Sequence, residues 1–413
     1  MEREPRRHSK STTGRGYTLE RLLAVAMSCP GPFTRAELIE ATGLSGPTVG
    51  FLTSQLTARG LTRDLGTGPS RGGRRPSLME FNARHGFVAG IDVGPTRTRL
   101  AIANLRGNRL AHRIIPTPSR LAPPAALRKI ADVVRELMAE ANAPLDRLLT
   151  VAAGAPGIVD LNRGIVVLAP NLTGWSEVPM RDCLEDALGA PTLVENDVNL
   201  ALLGEHWKGA ARGHGTCAFL FVGTGIGAAV LINGGLHRGH HFMAGEIAVM
   251  CMAPEYVDVP YGTHGCLETL AGLHALAERW PEAQGDPESW LPRLFEAAES
   301  GSDRAHQAIE ETATLLGIAA VNIGTVVDPS ILLLGGALFA NAAPLVARVR
   351  QIVQRISRAP IDIELAALGK EAPLTGCLLL AATHACDRLR QQVRTETIQG
   401  RTRSSAGDGA GGA

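Results

Sequence analysis

Residues 221–230 read FVGTGIGAAV, and residues 262–269 read GTHGCLET. An apolar strand, Phe219–Val222, enters a glycine loop, Gly223-Thr224-Gly225-Ile226-Gly227, and a second strand, Ala228–Ile232, leaves it. The loop therefore sits on a hairpin. Glycines there let main-chain N–H groups approach an oxyanion with no side chain between, which is how anion nests and phosphate cradles are built. An ordinary tight hairpin would carry the same residues, so the loop alone leaves both readings open.

Working outward, the flanking chain alternates strands with helices. Phe87–Val93 predicts a strand ending in Asp92-Val93-Gly94-Pro95-Thr96, followed by strands at Thr98–Leu105 and Arg109–Pro116. Pro124–Ala141 predicts a helix with Leu127, Ile130, Val134 and Leu137 on one face, and Leu148–Ala153 a buried strand running into Gly154-Ala155-Pro156-Gly157. Strands joined by helical crossovers indicate α/β. A further strand, Thr192–Glu195, meets a helix at Asn196-Asp197-Val198-Asn199. A carboxylate at such a junction is held rigidly near a cleft and suits a general base, although Asp197 could equally be a plain helix N-cap. Beyond the glycine loop come helices at Leu267–Arg279, Trp290–Ala298 and Arg304–Val327, then a buried strand, Ile331–Leu334, and Gly335-Gly336. Residues 393–413 are rich in Gly, Ser and Arg and predict a disordered tail.

The N-terminus has a different character. Residues 1–16 are basic and short of apolar groups, which predicts a disordered arm. From residue 17 to 80 three short helices and a wing are expected. Leu19, Leu22, Leu23 and Ala26 recur at helical spacing, Thr34-Arg35-Ala36-Glu37 is a capping-box pattern, and Ser45 caps a third helix whose first turn holds Pro47. With Val49, Leu52 and Leu56 inward, Pro47, Thr48, Phe51 and Gln55 face outward, as a recognition helix presents its residues to a major groove. Arg71, Gly73, Arg74 and Arg75 form a glycine-flexed arginine cluster suited to a narrow minor groove, or to a solvated loop. Arg35 and Ser45 complete the candidate DNA-contacting set.

With 413 residues and 45% hydrophobic content the chain can build two or three cores, which excludes a disordered protein. Net charge is only +1, so no global attraction to a polyanion exists; the first 75 residues, however, hold 12 Arg or Lys against 6 Asp or Glu. Seven cysteines without regular spacing, no signal peptide and no apolar run of membrane-spanning length point to a cytoplasmic protein with reduced thiols.

The order of the glycine loop, Ala244-Gly245-Glu246 and Gly265-Cys266-Leu267-Glu268 resembles the signature of the ROK family (repressor, open reading frame, kinase), and the likeness runs from about Thr18 to the 380s. It implies a winged helix-turn-helix domain followed by an actin-like ATPase fold of two α/β lobes, spanning residues 87–392. By that resemblance Gly157, Asn171, Glu195, Asn196, Asp197, Glu246 and Glu268 surround a sugar, with Asp197 the general base in a kinase. Trp175, on the same loop as Asn171, could touch sugar or anchor the loop. Asp92, Gly94, Thr96, Gly223, Thr224, Gly225, Gly227, Gly335 and Gly336 would hold a nucleotide. Two departures stand out. Pro95 replaces a glycine of the phosphate hairpin and has no N–H to donate. Val249, Val259 and Tyr261 replace a histidine and two cysteines, so three of four zinc ligands are missing and a tetrahedral site cannot form from Cys266 alone. Completion through His264 and Cys251, or His240 and His241, lacks defined spacing. No zinc and no required cofactor are expected, with ATP and magnesium needed only by a kinase.

Three functions remain: a regulator whose sugar or sugar-phosphate effector acts on operator binding, an ATP-dependent sugar kinase with a DNA-binding appendix, and a regulator without small-molecule control. The winged helix, Pro95 and Val249 favour the first; Asp197 and the glycine loops keep the second open. The expected assembly is a homodimer or a dimer of dimers on a two-fold operator. Replacing Arg74 and Arg75 by Ala should weaken DNA binding and lower its salt dependence by about one unit of slope for each phosphate no longer neutralised; unchanged affinity and slope would take the wing off DNA.

Overall fold

A reciprocal pair of hydrogen bonds starts the second helix. The Glu37 amide donates to Thr34 Oγ1 at 3.2 Å and the Thr34 amide donates to Glu37 Oε2 at 2.6 Å, so the capping box read from the sequence is formed. Such a cap is worth about 1 kcal/mol. The computed structural model describes residues 14–68, 76–262, 264–340 and 342–407, with residues 14–17 and 397–407 described by backbone alone.

The chain divides into two compact units. One gathers residues up to Phe87, Asn104–Asn108 and residues from Ala382 onward; the other holds Val88–Ala103 and Arg109–Ala381. The first opens with α1 (Gly14–Ser28), β1 (Phe33–Thr34), α2 (Arg35–Thr42) and α3 (Gly46–Ala58), and closes its wing with β2 (Thr62–Thr67) and β3 (Ser77–Phe81) in the sheet order β1-β3-β2. Gly43 has a φ of 70° and ends α2, and Ser45 accepts from the Thr48 amide to start α3. Leu19, Leu22, Leu23, Val49 and Leu56 are fully buried, as the helical spacing predicts. The helix-turn-helix thus stands on apolar periodicity. The wing stems are joined by the Gly68 amide on the Pro76 carbonyl. Arg71, Gly73, Arg74 and Arg75 lie outside the described residues, as do residues 1–13 of the expected arm; Gly14, Arg15 and Gly16 are already helical.

The second unit carries two five-stranded sheets and a smaller one of three strands. The chain runs β4 (Phe87–Val93), β5 (Arg97–Asn104), β6 (Arg109–Pro116), α4 (Pro123–Glu140), β7 (Leu148–Ala155), β8 (Ile158–Asp160), β9 (Ile165–Leu168), β10 (Ser176–Val178), α5 (Met180–Leu188), β11 (Thr192–Asn196) and α6 (Asp197–Lys208). Its main sheet has the order β11-β7-β4-β5-β6, with β8, β9 and β10 forming a separate small sheet. The chain continues through β12 (Cys217–Val222), β13 (Ile226–Ile232), β14 (Gly235–Leu236), α7 (Cys266–Ala271), α8 (Leu273–Arg279), α9 (Pro287–Glu299), α10 (Asp303–Val327), β15 (Ile331–Gly335), α11 (Ala343–Ile356), β16 (Asp362–Leu365) and α12 (Ala372–Gly407). The second sheet is β14-β13-β12-β15-β16, antiparallel between β12 and β13 and parallel from β12 through β15 to β16. The α/β expectation and its two lobes hold.

Two expectations are corrected. The helix expected over Leu267–Arg279 breaks at Gly272, which is extended at φ −68° and ψ 167°. A Cβ there would stand 2.5 Å from the Glu268 carbonyl. The tail expected from residue 393 is instead part of α12, helical as far as Gly407; residues 408–413 lie outside the described residues. Apolar side chains explain the correction. Leu389 and Val393 are buried, Arg390 pairs with Glu20 at 3.1 Å, and Arg59 approaches Glu396 at 3.6 Å, so the segment packs within the unit that holds the winged helix. Val393→Asp, a charge buried without a partner, should cost about 2–4 kcal/mol in thermal unfolding, whereas the exposed Gln392→Asp should stay within about 0.5 kcal/mol. Equally small effects would mean that this stretch does not pack.

Candidate functional site

The junction of β11 and α6 positions the polar groups. Asn196 caps the helix, its Oδ1 accepting from the Val198 and Asn199 amides at 2.9 and 3.0 Å, while its Nδ2 donates to the Gly157 carbonyl at 2.9 Å. The cap is therefore Asn196 and not Asp197. Glu195, expected at the sugar, lies underneath instead, 1% exposed and outside the cleft lining. Its Oε1 accepts from the Asn196 amide and from Asn199 Nδ2, and its Oε2 from Arg238 Nε at 2.6 Å. A buried carboxylate needs such partners, and here they tie the loop before Glu246 to the end of β11.

Above the junction opens a cleft of about 320 Å³. Gly157, Asn171, Asn196, Asp197, Glu246 and Glu268 all line it. Thr224, Gly225 and Gly227, expected at a nucleotide, line the same cleft. The reason is steric and polar. A Cβ on Gly225 would lie 3.0 Å from Glu268 Oε2 and 3.2 Å from Asn171 Nδ2, and the Ile226 amide donates to Glu268 Oε2 at 2.9 Å. The Gly223 amide is turned to the Gly225 carbonyl and that of Ala228 to the Gly245 carbonyl. Of these amides it is that of Ile226 which meets a carboxylate of the cleft.

Asp92, Gly94, Thr96, Gly223, Gly335 and Gly336 do not line it. Asp92 is buried, with Arg99 Nη1 3.4 Å from its Oδ2. Gly94 donates to the Arg97 carbonyl and accepts from Thr117 Oγ1, which closes the turn around Pro95. Gly336 has a φ of 95°, and a Cβ on it would meet the Val222 carbonyl at 2.2 Å; one on Gly335 would meet the Phe219 ring at 2.4 Å. Packing of β15 on β12 accounts for both glycines. Trp175 is buried and anchors its loop, its carbonyl accepting from the Ala169 amide. Of the residues where family zinc ligands are missing, Val249 lines the cleft and is exposed, and Tyr261 donates to the Tyr256 carbonyl. Cys266 is buried whereas Cys251 is exposed. Arg99 and Arg238 escaped the sequence reading as site residues, and His264 entered it only as a possible zinc ligand; Arg238 meets its partner Glu195 43 residues away, where no motif marks it.

Burial dominates the electrostatics. It pushes the Asp197 carboxyl up to about 6, against the Val198 amide that favours the charged form. Asp92 is pushed up to about 7, first by burial and then by the Asp197 charge, with Arg99 opposing. Glu246 is raised by burial and by the charges of Asp197 and Glu268. A carboxyl near 6 suits a base at neutral pH.

In the other unit α3 carries the residues expected at a major groove. Val49, Leu52, Thr53 and Leu56 are buried, Arg35, Ser45 and Pro47 are exposed, and Thr48 and Gln55 are half-buried. Phe51 is 59% exposed on that face. Thr48 Oγ1 shares a 2.8 Å hydrogen bond with Ser45 Oγ.

A winged helix-turn-helix joined to an actin-like α/β domain with a carboxylate-lined cleft defines a class shared by regulators and sugar kinases. Residues 88–384 match the ROK family, and the chain belongs to it. It is 28% identical over 365 residues to the xylose repressor of Caldicellulosiruptor bescii, covering 84% of this chain and 91% of that protein. It is 28% identical over 308 residues to the glucokinase of Halalkalibacterium halodurans, covering 70% of this chain and 93% of the enzyme. The crystal structure of a ROK-family transcriptional regulator, a homologue of the E. coli MLC protein, superposes with a TM-score of 0.75 at 21% identity, covering 93% of this chain and all of that one. The family holds both repressors and kinases; the repressor match covers more of this chain, 84% against 70% for the glucokinase.

Asp197 carries a pH consequence. Its folded value lies above the unfolded 3.8, so between about pH 4 and 6 the folded state holds a proton that the unfolded state has lost; stability falls as pH rises and stays reduced above about 6. Asp197→Asn should melt higher than the wild type at about pH 8 and match it near pH 4. A variant melting lower than the wild type at about pH 8 but not near pH 4 would show the ionised carboxylate to be stabilising.

Proposed function

We propose that the protein is a sugar-responsive transcriptional repressor, in which the α/β unit binds an effector and the winged helix binds operator DNA as a homodimer or dimer of dimers. The observation that carries this is the coexistence of a formed cleft with a formed recognition helix: Asp197, Glu246 and Glu268 line the one, and Phe51 projects from the other. Similarity to xylose repressors over most of both chains supports it. The cleft favours an unphosphorylated sugar. Three carboxylates line it, and among the described lining residues there is no Lys or Arg, so a phosphate dianion would meet repulsion without a counter-charge, while hydroxyl groups would find acceptors.

The kinase reading draws on Asp197 and on the glucokinase relatives. Against it, Arg99 already pairs with Asp92, and Pro95 removes an amide from the phosphate turn. Phosphoryl transfer is mostly positioning and charge stabilisation, so losing part of the cradle weighs heavily. No cofactor is required on this reading.

An operator recovered by selection from random duplexes provides the test. D-xylose, D-glucose or a related free sugar should change operator affinity by about 1–3 kcal/mol, operator should change sugar affinity by the same factor, and the sugar phosphates should do neither. Asp197→Ala should abolish the response. Sugar-dependent ATP consumption that Asp197→Ala eliminates would establish a kinase instead.

A further inference from the structure

Hydroxyl groups both donate and accept, and the cleft is unevenly equipped for that. Its acceptors are plentiful in Asp197, Glu246 and Glu268, while the Asn196 amide is spent on the Gly157 carbonyl and the side-chain donors left among the described lining are Asn171, Thr224 and His264. His264 changes this balance. It lines the cleft, its Nδ1 lies 2.9 Å from Glu268 Oε1, and its side chain is 58% exposed. No described group meets its Nε2. The other oxygen of Glu268 is taken by the Ile226 amide, so the carboxylate is fixed from both ends and holds the ring in one orientation.

The turn bearing His264 is itself braced. The His264 amide donates to the Tyr261 carbonyl, and Gly265, at a φ of 81°, approaches so closely that a Cβ there would stand 2.6 Å from the Ala248 carbonyl and 2.7 Å from Val249 Cα. His264 is thus held beside Val249, whose side chain brings no polar atom to the same wall.

We propose that His264 is an effector-binding residue, its Nε2 hydrogen-bonding a sugar hydroxyl while Nδ1–H donates to Glu268. The inference rests on reading the cleft as an effector site. The imidazole and the Glu268 carboxylate act as one unit, and the hydroxyl they select sits on the Val249 side of the ligand.

Calorimetry on the full-length protein tests this with D-xylose, D-glucose and their singly deoxygenated analogues. His264→Ala should weaken at least one parent sugar by about tenfold or more, the size of a hydrogen bond within a charged pair. One deoxy analogue should bind the wild type correspondingly more weakly and lose nothing further in His264→Ala, because the two changes remove the same hydrogen bond. His264→Gln, which can still reach with an amide, should recover part of the loss. Parent affinities unchanged in His264→Ala, or losses that add for every analogue, overturn the assignment to His264 and leave the cleft reading intact. Should the wild type bind none of these sugars nor any of a wider panel, the cleft reading falls and this inference with it.

Discussion

One helix cap organises the ligand-facing half of the molecule. The first amides of α6 need acceptors, and Asn196 supplies them. Because the cap takes that carbonyl oxygen, the amide end of the same side chain is left to grip Gly157, where a Cβ would collide with the Leu168 carbonyl at 2.1 Å. Below it Glu195 gathers Asn199 and Arg238. A helix terminus, a glycine turn and a distant loop are thereby locked to one strand end. Asp197, relieved of capping, lines the cleft, and its burial there raises its protonation point.

The same economy of partners separates the two sides of the α/β unit. On the side of the cleft the polar groups converge, and the glycine hairpin shares a carboxylate with α7 through Ile226 and Glu268. On the side where the resemblance expects a nucleotide, charges and glycines have internal explanations: Arg99 answers Asp92, and Gly336 answers the Val222 carbonyl. A site whose donors and charges already have partners must break them to take a ligand.

Periodicity and capping made most of the fold legible. Leu19, Leu22 and Leu23 recur at helical spacing and are buried, and Thr34 with Glu37 forms the box its letters spell. The site was legible where residues sit in a motif, as Asn196, Asp197, Glu246 and Glu268 do. It was not legible where the determining partner lies far along the chain: Glu195 is claimed by Arg238, 43 residues on, and His264 is directed by a turn that leans on Ala248. Composition misled at the C-terminus. Gly, Ser and Arg beyond residue 392 read as tail because Val393 is a lone apolar signal amid polar neighbours, yet it is buried one turn after Leu389 and the helix runs on through it.

The course of α12 bears on how the protein is born. The unit containing the winged helix is assembled from both ends of the chain, with residues from Ala382 onward packing among those made first. Domains ordinarily fold as they leave the ribosome, N-terminal first. Here the segment that would emerge earliest lacks its final helix until nearly all of the α/β unit has been synthesised. A nascent chain therefore presents the apolar faces of α1 and α3 before the last turns of α12, which belong to the same unit, have been made.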